Sequence, residues 1–268
     1  MTSVLTQFLS WNKCLIGIKE IRMDSQFYLN QIEKLDNPEH NKLKIKRLIE
    51  KAILESNYDS DNYWIIEAIK KYLNDLDWIR GLLESKESKT NPEHYDVALD
   101  YVILGDTIAE NLNDCAWALS CYEQSEIHIQ SLWDYYSLIF SLHENFPENP
   151  SLDLLEKAYL HIEKEDPCSS EISAMASLTL EITGDQKKAI ELYQKALDID
   201  ENDGICWDDR IAICQSIATD LEDHKWAKIV IQQLKIDINC PKTRLTDFQT
   251  LSLQNYLVQS LDSSIMIV

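Results

Sequence analysis

The residue types best suited to chemistry are six histidines, at positions 40, 94, 128, 143, 161 and 224, and seven cysteines, at positions 14, 115, 121, 168, 206, 214 and 240. Neither set is spaced for metal binding. There is no His-Glu-x-x-His, no pair of histidines one helical turn apart, no Cys-x-x-Cys, and no Cys at ligand spacing from a His. His143-Glu144 opens as a zinc-protease helix does, but Asn145-Phe146-Pro147 follow at once, and proline ends the helix such a site needs. No Gly-x-Ser-x-Gly elbow is present to hold a nucleophilic serine. The five glycines, Gly17, Gly81, Gly105, Gly184 and Gly204, stand singly, so neither a P-loop nor a dinucleotide fingerprint is possible, which argues against nucleotide-binding α/β folds. The expectation is a protein that is not an enzyme, with no cofactor and no metal. The cysteines read as reduced core residues of a cytosolic protein.

Charge is the stronger signal. The 268 residues carry 25 Lys+Arg against 46 Asp+Glu, a net charge of −21. Phosphate backbones and anionic lipid surfaces repel such a chain, which argues against direct nucleic-acid or membrane binding and for a basic partner. The N-terminus has no basic residue ahead of its apolar stretch and no small-residue cleavage site, and Lys13 and Lys19 interrupt it. No apolar run reaches the roughly 18–20 residues of a membrane helix. A soluble, cytoplasmic protein is expected.

The charge is unevenly spread. Residues 1–56 are slightly basic, while the rest holds all the acidic excess. Between Lys89 and Lys157 there is no Lys or Arg at all. At 100° per residue Glu93, Asp96 and Asp100 group together with Asp106 and Glu110 beside them, facing away from the apolar stripe Tyr101, Leu104, Ile108 and Leu112. Such a stripe is either a solvated face or a surface that steers a cationic partner, and Asp96, Asp100, Asp106 and Glu110 are its candidate binding residues.

The elements that must carry these residues are helices. Apolar residues recur at three and four, and period-2 runs with hairpin turns are missing. Pro, Asn and Asp clusters break the chain into segments of about 30–45 residues, each long enough for two helices. Asn74-Asp-Leu-Asp-Trp78 aligns with Asn113-Asp-Cys-Ala-Trp117, and Asp223-His-Lys-Trp226 repeats the pattern. In each, the Asp is expected to cap a second helix and the Trp to lie in its first turn; Asp185 stands at the equivalent cap. The tryptophans Trp64, Trp78, Trp117, Trp133, Trp207 and Trp226 are read as packing between helices. Taking the position after each Trp as anchor gives Ile79, Ala118, Ser151, Ala189 and Ala227, at intervals of 39, 33, 38 and 38 residues.

Ser173–Asp203 resembles a tetratricopeptide repeat: Gly184-Asp185 at the turn, Ala189 and Tyr193 on the second helix, then Lys195-Ala196-Leu197 and the closing Asp200. It departs from the family at Ser173, Ser177 and Glu201, and the neighbouring units match less well. The resemblance covers about residues 61–236. It implies an all-α fold, a right-handed α-solenoid of about five antiparallel helix pairs whose first helices line an inner surface. Apart from the resemblance, a lone helix pair exposes apolar faces on both sides, so neighbours must stack.

The expected organisation is therefore an N-terminal helical segment at 1–56 with helices Gln7–Lys34 and Asn41–Leu54 packing on the first repeat, acidic repeats at 57–240, and a capping helix Leu245–Leu261 within 241–268. The expected function is a protein-protein interaction scaffold that takes a basic protein on an acidic surface. An immunity protein neutralising a nuclease-type toxin fits, as does a chaperone or adaptor for a basic secreted or nucleic-acid-binding client. Family members that grip acidic peptides use Lys and Asn on inner helices, and 98–110 has neither. A second candidate surface lies in the inner groove around Trp207, Asp208 and Asp209. The alternative is an enzyme or small-ligand sensor with a degenerate helical-repeat body, which convergent polar groups in a pocket would favour.

Overall fold

A computed structural model describes residues 24–35, 38–55, 59–90, 96–148, 151–165, 167–203, 207–223 and 225–230. Among them every regular element is helical and there is no strand. The helices are α1 (Asp24–Glu33), α2 (Lys42–Glu55), α3 (Asp59–Tyr72), α4 (Leu76–Glu87), α5 (Val97–Leu112), α6 (Cys115–Ile127), α7 (Leu132–Asn145), α8 (Leu152–Lys164), α9 (Ser169–Thr183), α10 (Gln186–Asp203) and α11 (Trp207–Asp220), with a 3-10 turn at Pro38–Asn41 and a last helical turn at 225–230. Residues 7–23 of the expected first helix and the whole expected capping helix Leu245–Leu261 lie outside the described residues.

The recurrent element is a turn. Asn74, Asn113, Gly184 and Glu222 all have left-handed backbones, with φ between 52° and 67°. Each stands directly before an aspartate whose side chain caps the next helix. Asp75 Oδ1 accepts from Trp78 N–H at 3.0 Å, Asp114 Oδ1 from Trp117 N–H at 3.3 Å, Asp185 Oδ1 from Lys188 N–H at 3.0 Å and Asp223 Oδ1 from Trp226 N–H at 2.9 Å. A left-handed residue stops the first helix and the aspartate satisfies an orphan N–H of the second. One turn further on, Ile79, Ala118, Ala189 and Ala227 donate to the carbonyls of those aspartates, and all four are buried.

Ser151 departs from this series. It is the N-cap of α8, not an anchor, and its side chain makes no cap bond. Leu155, which donates to the Ser151 carbonyl at 3.1 Å and is buried, occupies the place of Ile79 and Ala189. The α7–α8 connection lacks the Asp-x-x-Trp marker, so counting from a Trp position sets its register one helical turn early.

The tryptophans also differ from expectation. The core positions are the anchors, whereas Trp78, Trp117, Trp133 and Trp226 are half-buried and Trp64 is exposed. Trp78 lies under the Lys46 ammonium and Trp117 under the Arg80 guanidinium, at 5.2 and 5.4 Å from the ring centroids. Likewise Cys121 and Cys214 are buried but Cys115 and Cys168 are exposed. Cys14, Cys206 and Cys240 lie outside the described residues.

The chain divides into two compact units, one formed by Met1–His94 with Ile103–Leu119 and the other by Tyr95–Val102 with Ser120–Val268. In the first, α1 packs on α2 and α3, α2 on α3, and α3 on α4, so the N-terminal helices do pack on α3. Ile45, Leu48, Ile49 and Ala52 form the buried stripe of α2 at helical spacing. In the second, α7 packs on α8 and α9, and α9 packs on α10 and α11. Alternate helices α7, α9 and α11 thus form a continuous row. On α8, Leu154, Leu155, Ala158 and Ile162 face inward, and each large aliphatic there contributes about 1.5–3 kcal/mol by leaving water.

Candidate functional site

The acidic stripe of α5, whose Asp96 and Asp100 fall in the second unit and Asp106 and Glu110 in the first, sits on a helix that is buried over about half its circumference. Val97, Ala98, Val102, Leu104, Gly105, Ile108 and Asn111 are all buried. At 100° per residue this arc is wide enough to reach Asp100 on one rim and Asp106 on the other, so both are half-buried, while Asp96 and Glu110 are exposed residues, the Glu110 carboxyl itself being partly shielded. Glu93 lies outside the described residues.

Cations missing from the sequence between Lys89 and Lys157 arrive from flanking helices. Arg80 of α4 reaches Asp114 at 2.9 Å, and Lys157 of α8 reaches Glu126 in the second unit. The guanidinium, followed by the Trp117 N–H, holds the Asp114 carboxyl below the usual carboxylate range. The Lys70 ammonium of α3 donates to the Glu110 carbonyl oxygen at 3.3 Å and to Asn111 Oδ1 at 3.2 Å. Burial raises the Glu110 carboxyl above its ordinary value; Lys70 opposes this and Glu67 adds to it. Burial, then Glu67 and Glu110, also raise the Tyr63 hydroxyl.

The second unit gathers polar groups along the row α7, α9 and α11. The Tyr193 hydroxyl of α10 donates to Asp220 Oδ2 at 2.7 Å and meets Ser177 Oγ at 2.7 Å, joining three helices at a fully buried ring. Tyr136 of α7 lies edge-on to Trp133 at 5.5 Å and stacks with Phe140 at 6.1 Å. Its hydroxyl is pushed up to about 12, first by burial and then by Glu181 and Asp220. Neither α7 nor α9 contains a Lys or Arg. Among the described residues no Lys or Arg pairs with Glu181 or Asp220, and Asp220 is held instead by the Tyr193 and Thr219 hydroxyls.

Asp209 is half-buried and accepts from Ser169 Oγ at 3.1 Å, tying α11 to α9 beside the buried Arg210. The side chains of Trp207 and Asp208 lie outside the described residues. Sequence reasoning missed Tyr136, Glu181 and Asp220. The spacing of Trp133, Tyr136 and Phe140 announces an aromatic stripe, but nothing local announces that α9, which carries Glu181, packs on α7 and on α11, which carries Asp220.

An open cleft of about 290 Å³ is lined by Glu156, Tyr159, Thr179, Thr183, Asp185 and Lys188 of α8, α9 and the start of α10. Its groups engage one another. The Tyr159 hydroxyl meets Thr179 Oγ1 at 2.9 Å, Thr183 Oγ1 donates to the Thr179 carbonyl at 2.6 Å, and Lys188 lies 4.9 Å from the Tyr159 ring centroid. No nucleophile here is hydrogen-bonded to a general base. Among the described residues no group of three or more His, Cys, Asp and Glu is placed to hold a metal ion, and no helix is long and apolar enough to cross a membrane. Set against protein-family models, curated proteins and solved structures, the chain matches none.

Proposed function

We propose that the chain is a non-enzymatic, cytoplasmic protein-binding scaffold, a tetratricopeptide-like right-handed α-solenoid of antiparallel helix pairs, that takes a basic protein on its acidic surface. The observation that carries this reading is the acidic row of α7, α9 and α11: α9 packs on both α7 and α11, neither α7 nor α9 holds a Lys or Arg, and Glu181 and Asp220 are exposed with no cation paired to either among the described residues. Fixed carboxylates beside half-buried aromatics favour a cationic side chain and repel an anionic one. The recurrent left-handed-residue and aspartate turn supports the repeat architecture. A basic nuclease-type toxin fits as partner, the chain then acting as an immunity protein, and so does a basic client of a chaperone or adaptor. Asp96, Asp100, Asp106 and Glu110 extend the acidic surface on α5, with Trp207, Asp208 and Asp209 at the start of α11.

A small-ligand sensor is the second reading, and the cleft around Tyr159 and Lys188 is what favours it. One comparison separates the two. The basic partner is purified on the immobilised chain at low and high salt, and its association rate is measured with the wild type and with the combined variant Asp96→Asn, Asp100→Asn, Asp106→Asn, Glu110→Gln. The scaffold reading expects slower association, the difference shrinking toward 0.15 M salt, where the screening length is about 8 Å. Equal rates at low salt would remove α5 from the binding surface. Failure to retain any basic protein would remove the reading itself.

A further inference from the structure

Of the described tryptophans of the first unit, Trp78 and Trp117 each lie under a cation and Trp64 does not. Trp64 is 54% exposed at the start of α3, and Tyr63 beside it, 46% exposed, meets it edge-on at 5.3 Å. Elsewhere in the first unit the chain covers such rings itself, with Lys46 over Trp78, Arg80 over Trp117, Lys51 over Tyr28 and Lys71 over Tyr72. Among the described residues no Lys or Arg lies over Tyr63 or Trp64. Of the two lysines of α3, Lys70 is directed to the Glu110 carbonyl and Asn111, and Lys71 lies over Tyr72.

Carboxylates are nevertheless in place. Glu67 follows Trp64 by three residues and Tyr63 by four, so it shares their side of the helix. Lys70, two turns on from Tyr63, donates to the Glu110 carbonyl at 3.3 Å, which brings this stretch of α3 against the end of α5 that carries Glu110. The first unit also contains the completed version of this arrangement. Arg80 stacks on Trp117 at 5.4 Å while its guanidinium is held by Asp114 at 2.9 Å. A ring offers the cation its face, and a carboxylate fixes the guanidinium plane.

We propose that Tyr63, Trp64, Glu67 and Glu110 form a docking surface for an arginine side chain presented by a basic protein partner. Arginine fits better than lysine because its planar guanidinium stacks on an indole and meets a carboxylate side-on at once, as Arg80 does. The inference rests on the reading of a basic partner but concerns a different surface from that around Tyr136.

The test uses the full chain and blocked octa-arginine, octa-lysine and octa-glutamate peptides, with affinities read by titration calorimetry at low salt. The wild type is expected to bind octa-arginine more tightly than octa-lysine and not to bind octa-glutamate. Trp64→Ala should weaken octa-arginine binding by about fivefold, the equivalent of one exposed cation–π contact, and the isosteric pair Glu67→Gln with Glu110→Gln should do so at least as strongly. Phe27→Ala, another exposed aromatic of the same unit, should leave binding unchanged. If Trp64→Ala and the Gln pair both match the wild type while the triple variant Asp96→Asn, Asp100→Asn, Asp106→Asn binds more weakly, this surface is overturned and the acidic-scaffold reading stands. No preference of the wild type for basic over acidic peptide overturns both. Concentration-dependent self-association that Trp64→Ala abolishes would assign the patch to a second copy of the chain, and would overturn the inference too.

Discussion

The α9–α10 and α7–α8 connections each join one helix to the next in a few residues, by opposite means. Between α9 and α10 the work is local: Gly184 takes φ 67° and Asp185 caps the following helix. Between α7 and α8 there is no left-handed residue among those described and no side-chain cap on Ser151. Instead Phe146, the C-cap of α7, packs edge-on against Tyr122, whose hydroxyl accepts from Asn145 at 2.9 Å, and Leu155 is buried one turn into α8. The first connection is specified by backbone chemistry and the second by packing. A turn specified by packing carries no short sequence marker.

The largest expected effect lies in the packed connection. Leu155→Ala should cost about 2–5 kcal/mol in urea unfolding, the loss for deleting a buried leucine, because Leu155 holds the anchor position of α8. A loss under about 1 kcal/mol would show that α8 is held from elsewhere and would remove Leu155 from the anchor series. Next comes the local connection. A methyl group on Gly184 meets nothing within 4 Å, so Gly184→Ala isolates backbone strain and should destabilise by about 1 kcal/mol. Glu222 holds the same left-handed position without being glycine, and Glu222→Gly should stabilise by up to about 1 kcal/mol. Effects of the same sign at the two sites would break the equivalence of the turns. The smallest effect should be at Ser151, whose side chain makes no cap bond: Ser151→Ala is expected to shift stability by less than about 0.5 kcal/mol, where a bonded cap costs about 1.

These contrasts explain what was legible in the sequence. Asp75, Asp114, Asp185 and Asp223 could be read as caps because a cap acts on N–H groups two or three residues away. The anchors Ile79, Ala118, Ala189 and Ala227 followed from them by counting one turn. Ser151 was misplaced because its connection lacks that local chemistry. The cover on Trp78 and Trp117 was not legible, since Lys46 and Arg80 come from other helices. The same holds for the surface around Tyr136. Glu181 and Asp220 share a row with Tyr136 only because α9 packs on both α7 and α11, a relation that no helix states about itself.

The packing of each helix on its next or next-but-one neighbour has a kinetic side. Within α7 to α11 the extensive helix contacts span at most two steps along the chain, so little loop-closure entropy stands before any of them. Structure in this region can therefore start at any adjacent helices and spread to the next. The α9–α10 turn, with its backbone already committed by Gly184 and Asp185, is the natural seed, and the α7–α8 connection, which waits on Phe146 and Leu155 finding their neighbours, should close after it.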